Sequence, residues 1–181
     1  HDALPISGRT ARTGTVTVTG VGVSTSSTYK VTQSPKSEFA SFDNGSEMSA
    51  PKTAGTVTVE GKTNSSKLTF AWAGSVVDVT LPAKYNANGT QTNNAATISG
   101  DPGATAEFPF SIELEFPKND TIEEVVRTLK VTANGGQAAQ IAIKQAAGDA
   151  TLSVSPADIT IPQSGSAVSV NVTSNTSWTA A

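Results

Sequence analysis

Residues 56–60 read TVTVE, and this alternation of valine with polar residues indicates the fold class. Successive side chains of a β-strand point to opposite faces, so the two valines share one face and the polar residues share the other. The same period of two recurs in TVTVT at residues 15–19 and in AVSVNV at residues 167–172. Each stretch is therefore predicted to be a strand with one buried face.

Turn residues separate the predicted strands. Typical examples are Asn44-Gly45, Asn88-Gly89 and Asp101-Pro102-Gly103. The only helix start is TIEE at residues 121–124, and it is expected to give one turn at most because β-branched residues follow it directly. Many short strands between such turns predict an all-β chain built as an antiparallel, immunoglobulin-like β-sandwich.

An internal repeat organises the chain. YKVTQ at 29–33 corresponds to IAIKQ at 141–145, and these motifs end in Gln33 and Gln145. Arg12-Thr13 is matched in the same way with Arg127-Thr128. TNSSKL at 63–68 corresponds to SNTSW at 174–178, with Asn64 matched to Asn175. The interval between the two glutamines and the interval between the two asparagines differ by a single position. Two motifs that agree so closely on one period indicate tandem repeats.

The repeat predicts the domain boundaries. Residues 8–34 form the C-terminal part of a first repeat, residues 35–147 a complete domain, and residues 148–181 the N-terminal part of a further repeat. Residues 1–7 are interpreted as a non-native leader or an assembly artefact on a metagenomic fragment. The two partial repeats leave apolar faces uncovered, and we do not expect the chain to loop back so that they pack together.

Composition excludes several function classes. The chain has 12 Lys and Arg against 15 Asp and Glu, which disfavours a nucleic-acid partner. It has no Cys and a single His, so thiol catalysis, disulfides and histidine-based metal sites or triads are excluded. Ser and Thr make up about a quarter of the residues. We predict a non-catalytic module without a cofactor or metal and without membrane insertion in this segment.

Short motifs at both ends of the repeat resemble the BACON family, the Bacteroidetes-associated carbohydrate-binding domains. The start of such a domain is similar to LSVSP at 152–156, ITI at 159–161 and SNTSWT at 174–179, and its end to RTLKVT at 127–132, residues 141–145 and residues 12–33. The middle repeat departs from the pattern, because Leu68 replaces a tryptophan and the stretch 85–116 is long.

The resemblance implies an immunoglobulin-like sandwich in a secreted or surface protein of gut Bacteroidetes. The expected location is extracellular, on the outer-membrane surface or in the periplasm. The family name implies polysaccharide or mucin glycans as partners, beside neighbouring domains of the same chain. The alternative is a structural spacer that holds a glycoside hydrolase or adhesin domain away from the membrane.

Sugar-binding sites usually contain exposed aromatic rings, since the C–H face of a sugar stacks on them. The candidate glycan-binding residues are therefore Trp72, Trp178 and Tyr85, with the amides of Asn86 and Asn88. Both tryptophans share a strand face with apolar residues, so a core position is the favoured interpretation for them. Tyr85 lies in a polar stretch and is a better candidate for an exposed ring than either tryptophan. An exposed ring beside converging amides would favour binding, and burial of all rings would favour the spacer.

Other candidate chemistry has simpler explanations. Glu113 and Glu115 lie on one strand face about 6–7 Å apart, a spacing that glycoside hydrolysis could use, but their strand's opposite face is apolar. They are therefore expected to be ordinary solvent-facing residues. Asp101 and the pair Asn119-Asp120 lack the spacing of a calcium loop and are expected in turns. Thr121, in the motif Asp-Thr-Ile, resembles a bacterial O-glycosylation acceptor.

Overall fold

A computed structural model describes residues 8–76, 78–104 and 106–181. Within these ranges the chain forms β-strands and no helix, so the all-β prediction is confirmed. Residues 121–123 are bends, and a strand begins at Val125, because the valines after Glu124 continue as an extended chain. The predicted leader, residues 1–7, lies outside the described residues.

The strands of the described chain form four sheets. In chain order they are β1 (Arg12–Val18), β2 (Ser27–Gln33), β3 (Ala40–Phe42), β4 (Glu47–Ala50), β5 (Gly55–Thr63), β6 (Leu68–Trp72), β7 (Lys84–Ala87), β8 (Thr90–Asn93), β9 (Phe108–Phe116), β10 (Val125–Ala133), β11 (Ala138–Gln145), β12 (Leu152–Ser155) and β13 (Asn171–Ser174). One sheet has the order β3-β5-β9-β7-β8 and another the order β4-β11-β10-β6. Their strand pairs are antiparallel except β4 with β11.

The five-stranded and four-stranded sheets share one hydrophobic core. Alternate residues of β5 and β9 are buried, as their period of two predicts. Rings from both sheets meet in the core, where Phe110 lies 5.7 Å from Phe70 and 6.0 Å from Phe42 between ring centroids. Gly61 gives this cluster its space, because a Cβ there would lie 2.2 Å from the Ser41 carbonyl oxygen and 2.4 Å from the Phe110 ring.

A polar network closes one end of the core. Arg127 is 5% exposed, and its guanidinium lies 5.1 Å from the centre of the Phe116 ring. It donates 3.0 Å hydrogen bonds to Gln145 Oε1 and Asp78 Oδ1. Gln145 in turn donates from Nε2 to the Pro117 carbonyl at 2.7 Å. Arg127 and Gln145 therefore satisfy each other inside the fold, as buried polar groups must.

The remaining strands form two separate two-stranded sheets. β1 pairs only with β2, and β12 only with β13, within the part of the chain that the structure describes. The strand predicted at residues 167–172 is observed later and shorter, at Asn171–Ser174. Val168 and Val170 precede it and are 41% and 39% exposed. Neither valine belongs to the hydrophobic core of the described residues. Core packing therefore does not stabilise an extended conformation at these positions.

Candidate functional site

A row of polar side chains crosses the outer face of the five-stranded sheet. Glu60 on β5 is opposite Ser111 on β9, Ser111 is opposite Asn86 on β7, and Asn86 is opposite Gln91 on β8. The outward direction of Asn86 follows from the alternation on β7, where Tyr85 and Ala87 are buried. With neighbouring strands about 4.8 Å apart, the row presents a carboxylate, a hydroxyl and two amides at regular spacing.

Two shallow cavities of about 390 and 500 Å³ lie along this row and share Asn86 and Ser111 in their linings. Glu113, Glu115 and Lys84 line the smaller one. Lys84 Nζ donates to Gln91 Oε1 at 3.3 Å, which links the row to its basic neighbour. These groups can exchange hydrogen bonds with a polyhydroxylated ligand, but they offer no exposed ring for stacking.

Tyr85 is not exposed, and the expectation that it stacks on a sugar is wrong. Its side chain is 3% exposed, and its ring centre lies 4.9 Å from that of Phe70. The Leu68 amide donates to its hydroxyl at 3.3 Å. Burial raises the pKa of the Tyr85 hydroxyl, although the Leu68 amide opposes this shift. The polar sequence around Tyr85 is the outward-facing half of a strand, so it does not indicate a loop.

Tyr85 and Asn94 both form hydrogen bonds with the backbone of β6. Asn94 accepts from the Phe70 amide at 2.8 Å and donates to the Phe70 carbonyl at 3.0 Å. The Ala95 amide donates to the Leu68 carbonyl at 3.0 Å. These groups pair with the free edge of β6 as a neighbouring strand would, and so protect it from pairing with another chain.

Asn88 forms the hairpin turn between β7 and β8, as predicted for Asn88-Gly89. Its φ is 49° and that of Gly89 is 74°, which is the pair of positive angles that a type I′ turn requires. Its side-chain amide donates to the Gly100 carbonyl at 3.2 Å. Asn88 therefore has a structural role, and of the five candidate glycan-binding residues only Asn86 contributes an exposed side chain to the polar row.

The two tryptophans lie away from this row. Trp72 is half-buried at the end of β6, packs on the core, and donates from Nε1 to the Val79 carbonyl at 3.0 Å. This agrees with the interpretation of Trp72 as a core residue. Trp178 lies beyond β13 and is 51% exposed. The structure therefore does not bring the predicted aromatic residues together.

Glu113 and Glu115 are exposed, and Ile112, Leu114 and Phe116 on the same strand are buried. Thr56 Oγ1 donates to Glu115 Oε1 at 2.6 Å across the neighbouring strand. The prediction of an ordinary solvent face is confirmed for this pair.

Thr121 is exposed, but its hydroxyl already donates to Asn119 Oδ1 at 2.7 Å. Asn119 is buried and binds three further backbone groups of this region. It accepts from the Thr121 amide at 3.0 Å and donates to the carbonyls of Glu123 at 2.8 Å and Ala146 at 3.0 Å. A glycan on Thr121 would therefore have to displace a hydrogen bond that organises this loop.

A charged cluster joins the segment before β1 to the sandwich that the five-stranded and four-stranded sheets form. Arg9 pairs with both carboxylate oxygens of Asp101 and donates to the Asn64 carbonyl at 2.5 Å. Its Nε lies 3.4 Å from Glu38 Oε2. The hydrogen bond from Arg9 is the main reason that the pKa of Asp101 lies below its usual value.

Glu38 is the buried carboxylate of this cluster, at 8% exposure. Burial acts to raise its pKa, but hydrogen bonds from Ser65, Ser66 and Asn134 outweigh burial and hold the pKa below its usual value. The Ser65 hydroxyl and the Ser66 amide each donate at 2.7 Å. Two segments that are distant in sequence therefore hold Glu38 in its ionised form.

Asn64 and Asn175 make the same hydrogen bonds in two parts of the chain. Asn64 Oδ1 accepts from the Phe39 amide at 2.9 Å, and its Nδ2 donates to the Ser37 carbonyl at 3.0 Å. Asn175 Oδ1 accepts from the Thr151 amide at 2.8 Å, and its Nδ2 donates to the Asp149 carbonyl at 2.8 Å. Asn64 follows β5 and binds the segment before its partner strand β3. Asn175 follows β13 and binds the segment before its partner strand β12.

The hydroxyl before each asparagine is equivalent as well. Thr63 Oγ1 donates to the Phe39 carbonyl at 2.5 Å and accepts from the Ser65 amide at 2.9 Å. Ser174 Oγ donates to the Thr151 carbonyl at 2.8 Å and accepts from the Thr176 amide at 3.1 Å. Thr and Ser are both suited to this role, since either hydroxyl can donate and accept at once.

Sequence reasoning missed most of the polar row. Ser111 shares its strand parity with Glu113 and Glu115, and this pattern places it on the outer face. The Asn88-Gly89 turn places Gln91 opposite Asn86. Nothing local indicates that Glu60 and Asn86 lie beside Ser111, because that depends on the pairing of β5 and β7 with β9. Arg9 and Asp101, which are 92 residues apart, were missed for the same reason.

No protein-family model matches the chain, and no curated protein is significantly similar to it. The resemblance to BACON domains therefore stays a prediction. Among the described residues, no helix is long and apolar enough to cross a membrane.

Proposed function

We propose that this chain is part of a tandem array of immunoglobulin-like sandwiches that acts as a non-catalytic spacer in a secreted or surface protein. The strand order supports the immunoglobulin-like assignment. β3-β5-β9-β7 corresponds to the order A-B-E-D, and β11-β10-β6 to G-F-C, of constant-type immunoglobulin domains. The residues that resemble BACON domains support a surface location in Bacteroidetes.

The observation that carries the tandem array is the pair of equivalent hydrogen-bond sets at Thr63-Asn64 and Ser174-Asn175. Each set joins the end of one strand to the segment before its partner strand. The strand pairs agree, since Ala40 is opposite Thr63 and Leu152 is opposite Ser174. Four matched hydrogen bonds supported by a matched strand register favour a second copy of one structural unit.

Burial of the rings favours the spacer over the binding module. In residues 38–146, apart from the undescribed positions 77 and 105, every Tyr and Phe and the single Trp are buried or half-buried. Exposed rings among the described residues are found only at Tyr29 and Trp178, in the two partial repeats. The complete sandwich therefore lacks the exposed aromatic platform that sugar stacking requires.

Affinity electrophoresis and a glycan array test the spacer role on the full chain. The expected result is unchanged mobility in gels that contain mucin or neutral and acidic polysaccharides, with no array signal above background. Retention that is lost in Asn86→Ala and kept in Asn171→Ala would overturn the proposal. Asn171 is a suitable control because it is an exposed asparagine on β13, outside the polar row.

Such retention would establish the second candidate, glycan binding on the outer sheet face. The specific observation behind it is the row Glu60, Ser111, Asn86 and Gln91, whose groups can hydrogen-bond successive hydroxyls of an extended polysaccharide. Without ring stacking, affinity would come from hydrogen bonds that compete with water, so we expect weak binding at most.

A further inference from the structure

Two places in the chain show one arrangement where a repeat meets the repeat before it. The Lys36 amide donates to the Gly8 carbonyl at 3.1 Å, and the Gly148 amide donates to the Thr121 carbonyl at 2.7 Å. Gly8 precedes the β1–β2 hairpin, and Thr121 precedes the β10–β11 hairpin. Lys36 and Gly148 each lie in the linker that follows these hairpins.

We propose that this arrangement is a repeat-to-repeat docking site, used at each junction, that holds consecutive repeats at a fixed angle. The inference rests on the proposed tandem array and specifies how its units are connected. Its partners are the loop before the hairpin that ends one repeat, and the linker and asparagine turn of the next. A spacer needs such a joint, because domains joined only by a flexible linker move independently.

The positions of the contacts relative to the strands support the equivalence of the two junctions. By strand pairing, Val16 opposite Tyr29 in the first hairpin corresponds to Leu129 opposite Ile141 in the second. The same pairing places Arg12 at the position of Val125, so the predicted match of Arg12 with Arg127 is displaced by two residues. Gly8 precedes Val16 by the same interval as Thr121 precedes Leu129. Lys36 likewise follows Tyr29 by the same interval as Gly148 follows Ile141. The hydrogen bond between repeats therefore lies at the same position relative to the hairpin strands in both junctions.

A side-chain hydrogen bond between the asparagine turn and the preceding repeat reinforces each junction. At the first, Arg9 of the preceding repeat donates to the Asn64 carbonyl at 2.5 Å. At the second, Asn175 Nδ2 donates to the Asp120 carbonyl at 3.0 Å, in addition to its bond within its own repeat. Lys52 and Asp149 add an ion pair of 2.5 Å across the second junction. Each junction thus joins the same three elements through different side chains.

Gly148 lies so close to the preceding repeat that only glycine fits. A Cβ at this position would lie 2.2 Å from the Asn119 carbonyl oxygen and 2.9 Å from that of Thr121. Both atoms belong to the backbone of a loop that the buried Asn119 side chain fixes, so they cannot turn aside as a flexible side chain would. Gly148→Ala should therefore separate the linker from the loop.

Double electron–electron resonance measures this joint in the full chain. Because the sequence contains no Cys, nitroxide labels attach only at two introduced cysteines, Thr58→Cys on β5 and Thr173→Cys on β13, both at exposed positions. We expect a single narrow distance distribution in the parent pair. Gly148→Ala and Asn175→Ala should broaden it at least about twofold, because the interdomain motion then lacks its restraint. Asn171→Ala serves as the matched control and should leave it unchanged.

A broad distribution in the parent pair, or equal widths in the parent pair and both junction variants, would overturn the docking site. Urea unfolding followed by circular dichroism verifies that the sandwich of residues 35–147 keeps its stability in each variant. The spacer role fails separately, through glycan retention. Retention with a narrow distribution would refute the spacer alone, and a broad distribution without retention would refute the docking site alone.

Discussion

The hairpins β1–β2 and β10–β11 have the same register but opposite surroundings. Both alternate apolar and polar residues along antiparallel strands. In β10–β11, Leu129 and Ile141 are fully buried beneath the five-stranded sheet. In β1–β2, Tyr29 at the place of Ile141 is 56% exposed. The alternation therefore specifies which face of a strand can be buried, and the opposite sheet determines whether it is.

The two hairpins also differ in their polar contacts. The β10–β11 hairpin is tied to the rest of its sandwich at both ends, by Arg127 with Asp78 at one end and by Asn134 at the other, where its amide donates to Ser65 Oγ at 2.9 Å. Such contacts need a second sheet and its loops. A lone hairpin is marginally stable because it gains neither the core nor these contacts.

The largest expected difference between the two environments concerns the tryptophans. Trp72→Ala removes a ring that packs on the core and bonds Val79, so it should lower the free energy of unfolding by about 3 kcal/mol. Trp178→Ala removes a ring that is 51% exposed and should lower it by less than about 1 kcal/mol. Urea unfolding followed by far-UV circular dichroism measures both without relying on tryptophan fluorescence.

Equal losses for the two tryptophans would show that the two-stranded sheet β12–β13 and the residues after it have a core of their own. The difference between the two tryptophan environments would then be refuted. In a chain extended through the whole third repeat, Trp178 is predicted to be buried. Trp178→Ala should cost about 3–5 kcal/mol there, the usual cost of an aromatic side chain lost from a packed interior.

A matched valine pair tests the hairpins themselves. Val131 and Val18 occupy equivalent positions in β10 and β1, but Val131 is fully buried and Val18 is 56% exposed. Val131→Ala should cost about 2 kcal/mol, because it loses the transfer energy of its methyl groups and leaves a cavity. Val18→Ala should change stability by less than about 0.5 kcal/mol. A comparable loss at Val18 would indicate that its apolar face is covered in solution.

The sequence predicts strands and their faces well but predicts contacts between strands poorly. The period of two in residues 56–60 correctly places Val57 and Val59 inside and Thr58 outside. The sequence does not predict the burial of Tyr85, because β7 is short and its buried face consists of Tyr85 and Ala87 alone. The position of Asn86 beside Ser111 and the pairing of Arg9 with Asp101 depend on long-range topology, which no local pattern encodes.

The ion pair between Arg9 and Asp101 predicts a pH dependence of the first junction. Since Arg9 lowers the pKa of Asp101 in the folded chain, the pair stabilises the fold above the unfolded pKa of about 4. That contribution is lost as the pH falls through the lower, folded value. Arg9→Gln should raise the pKa of Asp101 toward its ordinary value, as measured by carboxyl ¹³C NMR titration.

Lys36→Gln is the control for this titration, because it removes the same charge from a neighbouring linker residue whose backbone amide forms the junction. It should leave the pKa of Asp101 close to that of the parent chain. If Arg9→Gln and Lys36→Gln move this pKa equally, the effect is one of general charge, and the specific pairing of Arg9 with Asp101 is refuted. Glu38, the other carboxylate facing Arg9, should respond less, because burial and hydrogen bonds from Ser65 dominate its pKa.

The smallest expected effect concerns the outer face of β9. This face is exposed to solvent, as most residues of the β1–β2 hairpin are. Glu115→Gln keeps the shape of the side chain and an acceptor for the Thr56 hydroxyl, so it should change the free energy of unfolding by less than about 0.5 kcal/mol. Leu114→Ala, at the adjacent position and facing the core with no exposed surface, should cost about 2–5 kcal/mol. Urea unfolding at neutral pH measures both. A loss above about 1 kcal/mol at Glu115 would mean that this face is not simply solvated, because surface substitutions away from packed contacts stay below that value. The outer face of β9 would then be a second contact surface of the module. The strand alternation alone would then no longer predict which face of the sheet is exposed to solvent.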